Sequence, residues 1–275
     1  MSSVAQAPRV RLPQARRRLP QWIRLPLEWF ALPLIIIGLW SLVSTFAPNT
    51  RFPAPVKIGE AFSANWINET FVTDVLPSLG RLAIGLTLAI VIGVTLGVVV
   101  GSSKLLREFL EPAFDFFRAI PPPMVVPVLI ALLGSGDTMK IVVIATSMWP
   151  VLLNTIEGVR AVDEVQRETA RSFRLPRRHR LVFLILPSAS PQIMAGIRQA
   201  MAVALILMVI SEMFLAVPGS LGYHIEIFKQ NYSYAAMWSI IVLLGLIGLL
   251  MAVLFQLAER TVLAWYRGLK EAERA

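Results

Sequence analysis

Long apolar runs without a charged residue constrain this chain more than any other feature of its sequence. Crossing the hydrocarbon core of a bilayer takes about 20 mostly apolar residues in a helix. Six windows approach or exceed that length: 29–47, 82–101, 119–136, 141–156, 191–217 and 230–258. Strands of a transmembrane barrel would instead alternate apolar and polar residues, which these aliphatic runs do not. The sequence therefore predicts an all-α integral membrane protein with six transmembrane helices.

Composition supports the same class. The chain is 56% hydrophobic and 16% charged, whereas a soluble domain is about half apolar and about a quarter charged. Its net charge of +9 would suggest nucleic acid if the basic residues formed one patch, but long uncharged runs separate them. We therefore expect a lipid bilayer, and no nucleic acid, as the surroundings of this chain.

Prolines interrupt the third window. Pro121, Pro122, Pro123 and Pro127 lie within 119–136, and proline removes a helical donor and clashes with the preceding turn. We expect a broken or late-starting helix. The first three prolines are typical of a helix start, whereas Pro127 is kept as a candidate for lining a cavity, where irregular backbone is tolerated at membrane depth.

The distribution of basic residues predicts the topology. With a basic arm at 1–28, a transmembrane domain at 29–258 and a tail at 259–275, the segments assigned to the cytoplasm hold 20 of the 26 Lys and Arg residues. This bias follows the positive-inside rule and places both termini in the cytoplasm. The first apolar run is long enough to be an uncleaved first helix rather than a signal peptide.

The loop 157–190 is the longest segment assigned to the cytoplasm. Val165, Thr169, Ser172 and Phe173 recur at helical spacing between charged residues, which predicts a short amphipathic helix. Leu175-Pro176 should end it, and a second short helix can then run to Pro187. The alternative is a solvated basic loop held near anionic headgroups.

A known motif lies in this loop. Glu168-Thr169-Ala170, Arg174 and Leu184-Ile185-Leu186-Pro187 resemble the EAA coupling motif of ABC importer permeases, with matching spacing. The chain has Thr169 where the family has alanine and Arg174 where it has glycine. Glycine serves a bend there, and arginine adopts such a bend at a cost in strain if the bend needs a positive φ.

Further segments are similar to the nitrate, sulfonate, taurine and bicarbonate branch of that family. They are 52–55, Ser78, Arg81, Gly85, 117–121, Pro127, Gly134, Gly136, 158–159, 162–163, 196–198, 211–212 and 219–223. The resemblance implies a type I ABC importer permease fold with cytoplasmic coupling helices, in a prokaryotic inner membrane. It also implies a second copy of the permease, two ATP-binding subunits that hold ATP and Mg, and an external solute-binding protein. The ATPase-coupling residues would be Glu168, Thr169, Ala170, Ser172, Phe173, Arg174 and Pro187.

The sequence carries no sign of an enzyme of its own. A P-loop ends in Gly-Lys-Ser/Thr, and the chain has no Gly-Lys dipeptide and no cysteine. His179 and His224 are far apart and lack the spacing of metal ligands. We therefore expect no catalytic residue, metal or cofactor in this chain, and a transport subunit that receives energy from a separate ATPase.

Three charged side chains fall in or beside the predicted spans. Arg81 and Glu212 should lie at similar depth and are hypothesised to pair, the alternative being that each reaches the outer interface separately. Arg198 is either a cation that attracts an anionic solute or a structural cation. With Met208 and Pro127, these residues are our candidates for a translocation path or gate.

The predicted function is the membrane-spanning subunit of an ATP-driven importer for a small anionic solute. One alternative is an ion-coupled secondary carrier, which needs intramembrane carboxylates or histidines and often inverted repeats. Another is a membrane scaffold that recruits a cytosolic enzyme through the loop 157–190. The sequence leaves open the solute and whether the second copy is identical.

Overall fold

A computed structural model describes residues 21–216, 218–266 and 268. Most of the predicted basic arm at 1–28, and residues 267 and 269–275 of the predicted tail at 259–275, lie outside these residues. Apart from one isolated bridge between Asn49 and Phe52, the regular structure of the described part is helical. The helices are α1 (Gln21–Phe46), α2 (Pro55–Trp66), α3 (Leu76–Ser102), α4 (Lys104–Ala119), α5 (Val125–Leu133), α6 (Asp137–Ala145), α7 (Met148–Arg160), α8 (Glu164–Ser172), α9 (Arg177–Arg180), α10 (Leu186–Leu215), α11 (Leu221–Gln230) and α12 (Tyr234–Val262).

The chain divides into two compact units, 1–56 and 57–275. The first contains α1, whose described apolar part is Ala31–Phe46, and a short turn after it. The ring of Phe52 in this turn lies 6.0 Å from that of Trp40 in α1. The first predicted span is therefore helical, but its described apolar part is shorter than the about 20 residues that a membrane helix needs.

Four helical segments of the described residues are long and apolar enough to cross a membrane. They are Phe71–Ser102, Lys140–Arg160, Arg177–Leu215 and Tyr234–Val262. A fifth is possible if Lys104–Ala119 and Pro122–Leu133, which meet at a bend of 83°, count as one broken span. The all-helical membrane class is confirmed, whereas the structure supports four or five of the six predicted spans.

The predicted break in the third span is present. Ile120 and Pro121 separate α4 from a 3₁₀ turn at Pro122–Met124, after which α5 has only nine residues. Nine residues rise about 14 Å, so α5 cannot cross a bilayer alone. The predicted spans leave 102–118 as a connecting segment, but it is helical: α4 occupies it, and its Leu110 and Phe114 pack against a cluster formed by Val100, Leu152 and Ile156.

Two spans begin earlier than the uncharged windows predicted. A π turn, Phe71–Val75, precedes Leu76-Pro77, and a second, Leu181–Ile185, precedes Leu186-Pro187. A wider turn relieves the clash between a proline ring and the carbonyl four residues before it, so the helix continues through the proline. The fifth span, expected to start near Pro191, is consequently part of the continuous helical segment Arg177–Leu215.

Close contacts between α3, α7 and α10 form the centre of the second unit. A Cβ atom at Gly97 would lie 2.5 Å from the Cβ of Thr155, and one at Gly93 would lie 2.7 Å from the Cβ of Val151. Glycine therefore lets the backbones of α3 and α7 approach, as in small-xxx-small packing between membrane helices. Gly196 allows a similar approach between α10 and α7, because a Cβ atom there would lie 2.8 Å from the carbonyl oxygen of Pro150. These three helices position α8 and the ion pair of Arg81 with Glu212, which are described next.

Candidate functional site

The predicted amphipathic helix of the loop 157–190 is α8, and its N-terminus is capped. The side chain of Asp163 accepts a hydrogen bond of 3.0 Å from the backbone N–H of Gln166. A carboxylate at this position satisfies a free N–H and interacts favourably with the helix dipole. The sequence therefore specifies where α8 begins.

The C-terminus of α8 is a bend through a left-handed residue. Arg174 has φ of 50°, its N–H donates to the carbonyl of Arg171 at 2.8 Å, and the N–H of Leu175 donates to that of Ala170 at 3.0 Å. This is the Schellman arrangement, in which glycine is usual at the left-handed position. The bend that glycine would serve is thus retained in this chain by an arginine.

The predicted coupling residues divide between exposed and buried positions. Glu168, Thr169, Ser172 and Phe173 are exposed, whereas Ala170 is buried. Ala170 therefore fits α8 against the rest of the chain, and the exposed residues are the ones available to a partner. Val165 in α8 and Phe173 at its C-cap are 71% and 76% exposed, so this face offers a partner apolar as well as charged groups.

Pro187, the last predicted coupling residue, lies in the first turn of α10 just after the second π turn. The predicted second short helix is present as α9, but it runs through Pro187 into α10 instead of ending there. Any displacement of α9 is therefore carried directly into a long apolar helix.

Arg167 joins α8 to the end of α7. Its Nε donates to the carbonyl oxygen of Val162 at 3.2 Å, and its Nη2 donates to the carbonyl oxygen of Val159. Unlike the exposed residues of α8, Arg167 is partly buried. Nothing in the apolar periodicity predicted this contact, because it depends on how sharply the chain turns between α7 and α8.

At the opposite end of α10, Arg81 and Glu212 form the hypothesised ion pair. The distance from Nη2 of Arg81 to Oε1 of Glu212 is 2.8 Å, and the side chains are 11% and 1% exposed. Glu212 also accepts from the hydroxyl of Ser78 at 2.7 Å and from the N–H of Gly222 at 3.1 Å. The carboxylate thus connects α3, α10 and the first turn of α11, and its burial is compensated by a charge and by hydrogen bonds.

The ion pair continues into a four-residue charge cluster, which we define as Arg81, Glu212, Asp137 and Lys140. Asp137 lies 3.4 Å from Arg81 and 3.3 Å from Lys140, measured from Oδ1 to Nη1 and to Nζ. Two positive and two negative groups make the cluster neutral. Lys140 is buried, and its exposed partner Asp137 belongs to the first turn of α6.

His224 and Asp74, which are close in sequence to Gly222 and Ser78, form a second polar contact. Nε2 of His224 contacts Oδ2 of Asp74, and the ring of His224 packs edge-on against Trp66 at 5.5 Å between centroids. The indole N–H of Trp66 donates to the hydroxyl of Ser239 at 2.9 Å. These contacts tie α2, α11 and α12 to the segment that precedes α3.

Sequence reasoning missed Ser78, Asp74, Asp137, Lys140 and His224. A signal existed for two of them, because Asp74, Ser78 and Arg81 recur every three or four residues and so share one helical face. The contribution of Asp137 and Lys140 had no such signal, since it depends on α6 approaching α3 across a long sequence separation.

The remaining path candidates lie apart from the charge cluster. Arg198 borders a groove of about 860 Å³ between α10 and α12, pairs with Glu259 and lies 5.5 Å from the ring centroid of Phe255. These partners favour the structural alternative for Arg198. Met208 is fully buried in the main apolar cluster, and Pro127 is exposed in the first turn of α5.

No group of three or more metal-ligating side chains was found within the described ranges 21–216, 218–266 and 268. Both carboxylates of the charge cluster, Glu212 and Asp137, are paired with cations, and the contact of His224 with Asp74 brings together only two possible ligands. What the geometry provides is mechanical: an exposed helix joined to close-packed apolar helices, and a buried charge cluster at the far end of α10.

Comparison with known proteins identifies the family. Residues 59–264 match the model of the binding-protein-dependent transport system inner membrane component. The bicarbonate transport system permease protein CmpB of Synechocystis sp. is 33% identical over 226 residues, covering 78% of this chain and 80% of that protein. The nitrate import permease protein NrtB of Synechococcus elongatus is 28% identical over 202 residues, with coverages of 70% and 72%.

A third relative extends the range of named solutes. The putative aliphatic sulfonates transport permease protein SsuC of Bacillus subtilis is 29% identical over 234 residues, covering 84% of each chain. The match to the family model spans most of the chain, including α3 to α12. This chain therefore belongs to the family of inner membrane components of binding-protein-dependent transport systems, the permeases of ABC importers.

Proposed function

We propose that this chain is the membrane subunit through which an ATP-driven importer moves a small anionic solute by alternating access. The proposal is carried by one observation: an exposed helix, α8, leads on one side into α7 and on the other into α9 and α10. A partner that moves α8 therefore acts on two apolar helices at once. The motif at 168–187 and family membership support an ATPase as that partner.

We propose that the working assembly contains two permease copies, two ATP-binding subunits and an external solute-binding protein. Six spans per copy are expected, with α1 as the first and the bent pair of α4 and α5 contributing the third. The excess of basic residues around α8 supports a cytoplasmic position for it, which is the side where ATP and Mg are available to the ATPase. The permease itself needs no cofactor.

An anionic solute is supported by the three relatives, whose names specify nitrate, bicarbonate and aliphatic sulfonates. All three solutes are small oxyanions. In an importer of this kind the external binding protein selects the solute, so the chain does not need a deep anion site of its own. We therefore assign the solute class, and leave the individual anion to the binding protein.

The alternative of an ion-coupled secondary carrier has less support from the geometry. Such a carrier needs an intramembrane carboxylate that can exchange a proton or cation. Glu212 is fully buried and accepts hydrogen bonds from Arg81, Ser78 and Gly222, so a coupling ion would have to compete with the Arg81 guanidinium for it.

Reconstitution tests the proposal. The chain, its ATP-binding subunit and its binding protein would be placed in vesicles, and uptake of labelled nitrate, bicarbonate and an alkyl sulfonate would be measured. We expect ATP-dependent uptake of one of these anions that persists when ion gradients are dissipated. Uptake that follows an ion gradient and ignores ATP would contradict the importer and support the carrier.

A pair of variants tests the docking surface separately. Phe173→Asp places a charge on the exposed aromatic residue at the C-cap of α8, and we expect the ATP-binding subunit to be lost on co-purification. Tyr232→Asp, at an aromatic residue 73% exposed beyond the other end of α10, is the matched control and should retain the subunit. Equal retention by both variants would contradict docking at α8.

A further inference from the structure

The guanidinium of Arg167 occupies the junction between α7 and α8. It is turned away from the exposed face of α8 and donates from two different nitrogens to two carbonyl oxygens, those of Val159 and Val162. Both valines are buried. The contact is therefore made inside the fold and does not compete with a partner for the outer face of α8.

The carbonyls that Arg167 reaches are short of other donors. The last four carbonyls of a helix lack an N–H partner within it, and the C-terminus carries a partial negative charge that favours a cation. Val159 lies in the last turn of α7, and Val162 lies in the linker 161–163 before α8. An arginine can satisfy both because its planar fork presents several donors in fixed directions.

Without this contact, α8 would be attached to α7 mainly through a three-residue linker. Short linkers transmit tension but resist rotation poorly, since each residue adds two soft dihedral angles. Two hydrogen bonds from one rigid guanidinium fix both the distance and the direction of α8 relative to the end of α7. Burial of Ala170 against the fold adds a second attachment further along the helix.

The end of α7 is itself held against its neighbours. A Cβ atom at Gly101 would lie 2.9 Å from the Cβ of Val159, and one at Gly158 would lie 2.8 Å from the Cβ of Gln192 in α10. Interfaces packed this closely resist sliding, because any shift produces overlap. Val159 thus receives Arg167 through its carbonyl and contacts α3 through its side chain.

We propose that Arg167 is a positioning residue that makes α8 and the packed unit of α3, α7 and α10 move as one body. Its role is to convert a displacement of α8 into a displacement of the membrane helices rather than into rotation about the linker. This inference rests on the proposed function, because it takes the ATPase as the source of the displacement. The amount of solute moved per ATP hydrolysed would then depend on the contact of Arg167 with Val159 and Val162, which is not part of the exposed surface of α8.

The first experiment compares Arg167→Gln with Arg160→Gln in the complete reconstituted complex. Both variants remove one cation from the same junction, but Arg160 is an exposed residue whose nearest partner, Glu157, is 3.8 Å away. For Arg167→Gln we expect the ATPase to remain bound and active within about twofold, while solute moved per ATP hydrolysed falls at least fivefold. Arg160→Gln should keep the wild-type ratio.

Two outcomes of this comparison overturn the proposal: an unchanged ratio of uptake to ATP hydrolysed in Arg167→Gln, or an equal loss in Arg160→Gln. If Arg167→Gln lowered solute uptake and ATP hydrolysis by the same factor, the ratio of uptake to ATP hydrolysed would be unchanged, which is the first of these outcomes. Failure of the proposed function is recognised separately, because the wild-type complex would then show no ATP-dependent uptake or would not retain the ATPase.

A second measurement does not depend on transport. The chain has no cysteine, so spin labels can be placed at Glu157→Cys in α7 and Gln166→Cys in α8, both at exposed positions. We expect a narrow distribution of the short distance between the two labels of one copy in the otherwise wild-type complex, and a clearly broadened one when Arg167→Gln is added. An equally narrow distribution in the Arg167→Gln background overturns the proposal.

Discussion

At the scale of single residues, the most consequential feature is a carboxylate buried in an apolar helix bundle. Glu212 is tolerated because Arg81, Ser78 and the N–H of Gly222 satisfy it. A buried charge that loses its partner is costly even where the pair itself contributes little to stability. Removing one member of the ion pair should therefore cost more stability than removing both, and this difference can be measured.

We expect Arg81→Met to lower stability by about 3 to 5 kcal/mol, since it leaves the Glu212 carboxylate buried and unpaired. Adding Glu212→Gln to that variant should recover part of the loss, because the amide is neutral and can still bond to Ser78 and Gly222. Thermal unfolding in detergent measures both. Additive losses in the double variant would contradict the pairing.

Asp115→Asn is the control for this experiment. It removes a carboxylate from the ion pair of Asp115 with Arg118 on α4, in which the two side chains are 57% and 60% exposed. Exposed ion pairs contribute about 1 kcal/mol or less. The midpoint of unfolding should therefore move far less than in Arg81→Met.

The left-handed conformation of Arg174 gives a second residue-scale prediction. Arg174→Gly should raise stability by about 1 kcal/mol, because glycine adopts a positive φ without the penalty that a Cβ atom imposes. Arg171→Gly, three residues earlier in α8, should lower it by about 0.8 kcal/mol, the helical cost of glycine. Both variants delete an arginine side chain, so opposite shifts in thermal unfolding would isolate the effect of φ. Destabilisation by Arg174→Gly would show that its side chain has a role that outweighs the strain.

The sequence predicted these residues unevenly. The pairing of Arg81 with Glu212 followed from their similar depth in antiparallel spans, and the bend at Arg174 followed from the motif that has glycine there. Arg167, Asp137 and Lys140 were not predicted, because their partners are backbone carbonyls or residues brought near only by tertiary packing. Local periodicity predicts which face of a helix is buried, but not which neighbour covers it.

At the scale of helices, glycine spacing was the most informative sequence signal. Gly85, Gly93, Gly97 and Gly101 recur at intervals of four or eight residues, and each faces α6 or α7 at a distance that leaves no room for a side chain. The π turns before Leu76-Pro77 and Leu186-Pro187 were not predicted. Rules for single residues treat proline as a stop, whereas here a widened turn lets the helix continue.

A pair of glycine substitutions on α3 tests the packing. In Gly97→Ala the new Cβ would lie 2.5 Å from the Cβ of Thr155, so α3 and α7 must separate. We expect a loss of about 1 to 3 kcal/mol, the usual cost of overpacking. Gly80→Ala, with open space around the new atom, should instead stabilise α3 by up to about 1 kcal/mol. Thermal unfolding in detergent compares them, and similar shifts in both variants would contradict close packing at Gly97.

At the scale of the whole molecule, helix length determines which segments lie on opposite sides of the membrane. The 30 residues of α10 rise about 45 Å, more than the about 30 Å of hydrocarbon. We therefore expect the segments that flank α10, namely α8 with α9 before it and α11 after it, to face different compartments. A crossing by α12, which has a similar length, would return the chain to the side of α8.

Single cysteines test this topology, since the chain has none of its own. Ser172→Cys on α8 should react with a membrane-impermeant thiol reagent only in inside-out vesicles, and Ser233→Cys, between α11 and α12, only in whole spheroplasts. The reason is that α10 separates the two positions, and the basic residues around α8 favour the cytoplasm. Glu157→Cys, at an exposed residue near the end of α7, should label like Ser172→Cys, because α7 ends on the side where α8 begins. Reaction of Ser172→Cys and Ser233→Cys from the same side would show that α10 does not cross the bilayer. If each reacted only in the preparation expected for the other, the proposed orientation would be inverted, and α8 would not lie in the compartment that contains ATP.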